Sequence, residues 1–96
     1  MTLAPLFALE THGTSAVLYL RNPLNVSSAA EAMDVCDSLP LGVRRLRVDM
    51  RSLSLYEADA IDEITRRLGA WREARNGSTR LDIPGVPVSF EVLAAG

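Results

Sequence analysis

The chain has 96 residues, of which 48% are hydrophobic and 23% charged, so it is long enough for one domain with a single two-layer core. Its net charge is −2, so it has no basic excess of the kind typical of proteins that bind nucleic acid, and no apolar run is long enough to span a membrane.

The single cysteine, Cys36, excludes an internal disulfide. No charged segment precedes the first apolar residues, which argues against a secretory signal. We therefore expect one cytoplasmic domain over residues 1–96. All 10 basic residues are arginine, which we interpret as codon bias in a GC-rich bacterial genome.

The first third of the chain predicts a β-hairpin followed by a helix. Apolar segments at residues 6–11 and 16–20 flank a turn at His12-Gly13-Thr14, and this pattern predicts two antiparallel strands. Ser28 and Glu31 have the spacing of a capping box, so a helix is expected to begin near Ser28. Pro40 and Gly42 should end it. Its inner face is predicted to consist of Ala29, Ala32, Met33, Cys36 and Leu39.

The central stretch predicts a buried strand that leads into the longest helix. Residues 43–50 alternate, with Leu46, Val48 and Met50 facing one way and Arg45, Arg47 and Asp49 the other. A helix from about residue 57 to 75 carries an apolar seam of Ile61, Ile64, Leu68 and Trp71. Its acids precede its arginines, which suits the helix dipole and predicts i,i+4 pairs Asp62–Arg66 and Glu63–Arg67. Asn76-Gly77 predicts the C-cap, with Gly77 left-handed.

The remaining residues predict a last strand at 79–83, stopped by Pro84-Gly85. The tail, residues 87–96, fits both a short helix and a strand, and we expect a helix. The order β-β-α-β-α-β predicts an α/β fold with a four-stranded mixed sheet, in which the N-terminal hairpin is antiparallel and the other strands are parallel. Right-handed crossovers place both helices mainly on one face, leaving Arg45, Arg47 and Asp49 on the other.

The residues that could carry chemistry favour a non-catalytic protein. His12 is the only histidine and lies in a turn, without a second ligand at metal-binding spacing. Cys36 lies on the inner face of a helix, and Trp71 ends the apolar seam, so both are expected in the core. No glycine-rich phosphate loop follows any strand. Acids at a helix N-terminus usually complement the helix dipole rather than catalyse. We expect no enzyme activity, no cofactor and no metal.

The element order and the central stretch resemble the STAS domain, the fold of anti-sigma factor antagonists and of sulfate-transporter tails, over nearly the whole chain. Val48-Asp49-Met50 matches the family's strand end, and residues 51–55 fill its loop. Tyr56-Glu57-Ala58-Asp59-Ala60-Ile61 occupies the signature that opens the main helix. Asn22-Pro23-Leu24-Asn25 lies where the family has a Gly-x-Leu-Asp segment, and Leu81-Asp82-Ile83-Pro84 and Leu93-x-x-Gly96 resemble its last strand and short final helix.

The resemblance also implies a function and a binding surface. Asp59 falls on the family's phosphorylatable serine, Ala58 on the serine before it and Ala60 on its glycine, so a phosphoacceptor is absent from these positions. We expect a regulatory interaction domain in bacterial signalling and transcription control, similar to an anti-sigma factor antagonist. Its partner would be a kinase-like ATPase anti-sigma factor, docked on the residues Ser54, Tyr56, Glu57, Ala58, Asp59 and Asp62.

Two other classes of function are compatible with the sequence. The chain could be an accessory subunit of a transporter ATPase complex or of a stress-signalling assembly. A small-ligand binder is a third class, although no phosphate loop supports it. Neither binding to nucleic acid nor membrane insertion is expected, and a homodimer stays open.

Overall fold

A computed structural model describes residues 6–93 as one five-stranded mixed sheet and two helices. The elements are β1 (Phe7–His12), β2 (Ser15–Leu20), α1 (Val26–Asp37), β3 (Arg45–Asp49), α2 (Ala58–Arg75), β4 (Ser78–Asp82) and β5 (Ser89–Glu91). Spatial order follows chain order. Strands β1 and β2 form the predicted antiparallel hairpin, and β2, β3 and β4 are parallel neighbours. The predicted α/β class is confirmed.

The predicted strand count is wrong, because the tail adds a fifth strand instead of a helix. Strand β5 pairs antiparallel with β4. Val92 continues this pairing, since its N–H donates to the Thr79 carbonyl (3.0 Å) and its own carbonyl accepts from the Thr79 hydroxyl (2.7 Å). These bonds satisfy backbone groups that β4 would otherwise leave open at the sheet edge. The predicted tail also includes residues 94–96, which lie outside the described part of the chain.

The N-cap of helix α1 lies three residues before the predicted cap. Its N-cap is Asn25, whose side chain accepts a hydrogen bond from the Ser28 N–H (2.8 Å). The Ser28 hydroxyl in turn accepts from the Asn25 N–H (3.1 Å). Ser28 is therefore the reciprocal member of a capping box rather than its first residue, so the predicted Ser28–Glu31 capping box is wrong, and the helix begins at Val26, two residues before Ser28.

The end of α2 also differs in detail from the prediction. Asn76, not Gly77, adopts the left-handed conformation, with φ 49°. Gly77 is required for another reason, since a Cβ there would collide with the carbonyl oxygen of Arg44. That carbonyl accepts the Ser78 N–H at 2.8 Å, so close approach of the two backbones lets β4 join β3.

One face of the sheet is covered and the other is open. Alternate residues of the three parallel strands, Ala16, Leu18, Leu20, Leu46, Val48, Thr79 and Leu81, are buried. The apolar members of that set form one cluster with buried residues of both helices, including Met33, Ile64 and Leu68, so both helices pack on the same face as predicted. The predicted seam of α2 is confirmed, with Ile61 only partly buried. Over residues 6–93, neither helix combines the length and apolar character that a membrane crossing needs.

Candidate protein-interaction site

The loop between β3 and α2 is fixed at its start by an ion pair within the chain. Asp49 ends β3 and accepts hydrogen bonds from the Arg51 N–H (3.0 Å) and from the Arg51 Nε and Nη2 atoms (3.2 and 2.8 Å). This bidentate guanidinium contact holds the pKa of the Asp49 carboxyl below its usual range. Leu53, which is buried, anchors the middle of the loop in the core.

The same loop is bound to the segment that precedes α1. The Asn22 side-chain oxygen accepts from the N–H groups of Ser54 (2.8 Å) and Leu55 (2.9 Å). Its amide nitrogen donates to the Ser54 hydroxyl (3.1 Å). Leu24, which is buried, donates its N–H to the Leu55 carbonyl (2.9 Å) and accepts from the Glu57 N–H (3.0 Å). The structure thus brings together the two segments that carry the family resemblance.

This bracing leaves large apolar side chains in solvent. Leu55 is 63% exposed and Tyr56 is 45% exposed, although the backbone of both residues is held by Leu24 and Asn22. Val26, two residues beyond Leu24 at the start of α1, is 43% exposed. Single exposed apolar residues are ordinary, but adjacent ones on a fixed loop are typical of a contact surface.

An acidic group lies at the start of α2, directly after the exposed residues of the loop. Glu57 is its N-cap, yet its carboxylate accepts no capping hydrogen bond, and Asp59 lies in the first turn. Glu57, Asp59 and Asp62 are all exposed, and none forms an ion pair with another residue of the described segment. Three carboxylates are therefore available to a partner beside the exposed loop.

The predicted pairs along α2 are only partly present. The Asp62–Arg66 pair is not formed among residues 6–93, because Arg66 binds Glu63 instead at 2.6 Å. This contact lowers the pKa of Glu63. The expected Glu63–Arg67 pair is loose at 3.9 Å, since Arg67 turns to Asp34 and Asp37 of α1 at 2.8 and 2.6 Å. Arg67 thus joins the two helices, and Glu63 is not part of the available acidic group.

The predicted site residues lie in the loop and the first turns of α2, and all of them are exposed. Together with Leu55 we call them the loop–helix surface, which consists of Ser54, Leu55, Tyr56, Glu57, Ala58, Asp59 and Asp62. The sequence did not identify Leu55 as exposed, because the loop has no apolar periodicity that would separate a buried Leu53 from an exposed Leu55. It also missed the bracing role of Asn22. The only available signal was that Asn before Pro marks a turn.

The remaining candidates offer no reactive arrangement. His12 is exposed at the hairpin, with Glu10 3.9 Å away. Cys36 is fully buried, and burial raises the pKa of its thiol to about 12, so it is not a thiolate at neutral pH. Trp71 is buried and donates from its indole nitrogen to the Cys36 carbonyl (3.0 Å). Between residues 6 and 93, no group of three or more His, Cys, Asp or Glu residues is arranged to hold a metal ion.

Comparisons of the chain with protein-family models, curated proteins and solved structures give no match.

Proposed function

We propose that this protein is a non-catalytic interaction domain of the STAS type, similar to an anti-sigma factor antagonist, which binds a protein partner through the loop–helix surface. The observation that carries the proposal is the exposed pair Leu55 and Tyr56, held on a hydrogen-bonded loop beside three acids without ion-pair partners among the described residues. Tyrosine is enriched in binding hot spots, and the rims of protein interfaces are polar. The β-β-α-β-α-β order of the first six elements, which a fifth strand follows, and the position of Asp49 support the resemblance.

The chemistry of the surface defines the partner. Leu55 and Tyr56 fit an apolar groove, and Glu57, Asp59 and Asp62 fit a rim that carries arginine or lysine. The resemblance selects a kinase-like ATPase anti-sigma factor from the same cytoplasm as the partner with such a groove. An ATPase subunit of a transporter complex is the other partner class, and the binding experiment distinguishes the two.

Asp59 makes this an unswitched binder. In the family a kinase partner adds phosphate at the corresponding position, which places about −1.5 to −2 charges at a helix N-terminus. Neither Ala58 nor Asp59 has a hydroxyl group, so phosphate cannot be added to a hydroxyl at these positions. Asp59 instead supplies a permanent charge to the acidic group, and binding is constitutive.

The test is a titration of the purified protein with a purified kinase-like ATPase from the same genome, and separately with a transporter ATPase subunit. Burial of a leucine side chain is worth about 1.5–3 kcal/mol, so Leu55→Ser should weaken binding by about 10–150-fold. Leu41→Ser is the matched control, because Leu41 is 76% exposed and lies in the loop after α1. Equal losses in both variants, or no binding to either ATPase, would refute the proposed surface.

Charge is tested on the same complex. Asp59→Arg should weaken binding, and raising the salt concentration should weaken the wild type more than the variant. Asp59→Ser should show an intermediate loss, and Glu73→Arg, an exposed acid near the other end of α2, should have little effect. Equal affinity of wild type, Asp59→Ser and Asp59→Arg would remove Asp59 from the interface.

A further inference from the structure

Strand β1 forms one edge of the sheet, and within residues 6–93 it pairs with β2 alone. Its register with β2 is continuous from Phe7 to His12, so no bulge interrupts it. The strand also contains neither proline nor lysine, two residues with which proteins commonly block an exposed edge. A regular edge of six residues is therefore accessible to a further strand.

One hydrogen bond shows which backbone groups of this edge face outward. The Arg21 N–H donates to the Leu6 carbonyl at 2.9 Å, so the residue just before β1 belongs to a hydrogen-bonded pair of the ladder. Hydrogen-bonded and non-hydrogen-bonded pairs alternate along an antiparallel ladder. The N–H and C=O groups of Phe7, Leu9 and Thr11 therefore point away from β2.

The same strand carries apolar side chains that the rest of the chain covers only in part. Phe7 and Leu9 are the register partners of Leu20 and Leu18, which are buried in the core. Both side chains thus lie on the face that the helices cover, but at its margin, where they are only partly buried. A further strand beside β1 would cover the sides that remain exposed.

We propose that β1 binds β1 of a second copy of this chain, antiparallel, and joins the two sheets into one. Outward-facing residues can pair only with outward-facing residues. A register centred on Leu9 pairs all of them within the strand, with Leu9 opposite Leu9 and Phe7 opposite Thr11, and gives about six backbone hydrogen bonds. This pairing has two-fold symmetry, so each copy uses its one β1 edge and assembly stops at a dimer.

Charge favours the same register. A pairing centred on Glu10 would place the two Glu10 carboxylates opposite each other, which destabilises a sheet. In the register centred on Leu9, Glu10 lies opposite Ala8 instead. The other edge strand, β5, has only three residues and offers a shorter template.

The size of the contact predicts a weak dimer. Interfaces contain about one hydrogen bond per 100–200 Å², so about six bonds correspond to roughly 600–1,200 Å² of buried surface. This is the lower end of the range for specific interfaces, where complexes are transient. The dimer is independent of the proposed ATPase complex, because no residue of the loop–helix surface belongs to β1.

Dimerisation is tested by sedimentation equilibrium of the purified protein from about 10 μM to about 1 mM. We expect the average mass to rise with concentration from that of a monomer towards that of a dimer. Thr11→Pro should weaken association by about 5–150-fold, because it removes one outward N–H from each copy. Proline is tolerated where the lost N–H faces away from the sheet, and circular dichroism checks that the variant folds.

Thr11→Ala is the matched control, because it removes the same exposed side chain and keeps the N–H. It should dimerise like the wild type. A wild type that stays monomeric at about 1 mM, or that forms species larger than a dimer, would overturn the proposal. Equal association of Thr11→Pro and Thr11→Ala would also overturn it.

The register is tested separately by cysteine cross-linking, which does not require the proline variant. Leu9→Cys places the two thiols across the two-fold axis, where Cα atoms about 5.5 Å apart suit a disulfide. Thr11→Cys is the control, since its two copies lie about 14 Å apart along the strands. Native Cys36 is fully buried, so the wild type should not cross-link. With oxidised glutathione, Leu9→Cys should form covalent dimers at least several-fold faster than Thr11→Cys, and equal or reversed rates would refute the register.

Discussion

Arg75 is the side chain whose replacement should most clearly disrupt the packing of α2 on α1. It is 8% exposed, and its Nη1 atom donates to the carbonyls of Pro40 (2.6 Å) and Val43 (3.1 Å). Its Nη2 atom donates to the carbonyls of Asp37 (3.2 Å) and Leu39 (2.8 Å). The guanidinium also lies 4.5 Å from the centre of the Trp71 ring.

These contacts set the size of the effect. Hydrogen bonds to charged groups contribute about 1.5–3 kcal/mol, but four that share one side chain are not additive. Arg75→Met keeps the length of the side chain and leaves four carbonyls at the end of α1 without this donor. We expect a loss of about 3–5 kcal/mol, similar to that caused by breaking other buried charged contacts. For a domain of this size that corresponds to a fall in melting temperature of at least about 12 °C.

The assay is thermal and urea unfolding followed by circular dichroism. Arg66→Met is the matched control, because Arg66 lies on the same helix, is exposed and, within residues 6–93, forms an ion pair only with Glu63. An exposed ion pair contributes about 0–1 kcal/mol, so this control should unfold close to the wild type. Arg75→Lys should be intermediate, since an ammonium group cannot reach the same set of carbonyls. Similar melting temperatures for Arg75→Met and Arg66→Met would show that the guanidinium does not hold the two helices together.

Two further predictions concern the backbone and the acid response. Gly77→Ala should destabilise the protein strongly, because the new Cβ would collide with the Arg44 carbonyl. Gly42→Ala should be tolerated, because no atom lies within 4 Å of the position that its Cβ would take. Urea unfolding of the two variants tests this, and equal midpoints would contradict it. The lowered pKa of Asp49 means that its contribution to stability is present above its unfolded pKa of about 3.9 and is lost as the pH falls through the lower folded value. Asp49→Asn should therefore destabilise the protein at pH 7 and progressively less as the pH falls below about 3.9, and a difference that stays constant from pH 7 to well below that value would exclude the Arg51 contact as its cause.

The parts of the fold that sequence predicts are those set by apolar periodicity. Alternation in β3 and the seam of α2 identify their buried faces, and β-α-β connections require parallel neighbours. The tail could not be resolved in this way, because Val88, Phe90 and Val92 fit both periods. The tail forms a strand because the edge of β4 offers backbone groups to which Val92 is hydrogen-bonded. The sequence of the tail alone does not show that this edge is free.

The functional surfaces were predictable to different degrees. Exposure of Glu57, Asp59 and Asp62 follows from their positions around a helix whose seam is known. The hydrogen bonds from Ser54 and Leu55 to the Asn22 side chain were not predictable, since they join residues that are 32 and 33 positions apart. The position of Arg80 was not predictable for a similar reason. Alternation places Arg45 and Arg47 on the open face, but only the register of β4 brings Arg80 beside them.

Apart from the Ser54 hydroxyl, the exposed side chains of the loop–helix surface make none of the contacts that fix it, which is why the surface can be tested without unfolding the protein. The loop–helix surface is fixed by Asn22 and by backbone bonds of Leu24, so truncating Leu55 removes exposed atoms and leaves these contacts in place. Asp82 neighbours both Arg47 (3.5 Å) and Arg51 (4.0 Å), so its substitution would disturb the Asp49–Arg51 contact at the start of the loop, whereas Leu55→Ser leaves that contact in place.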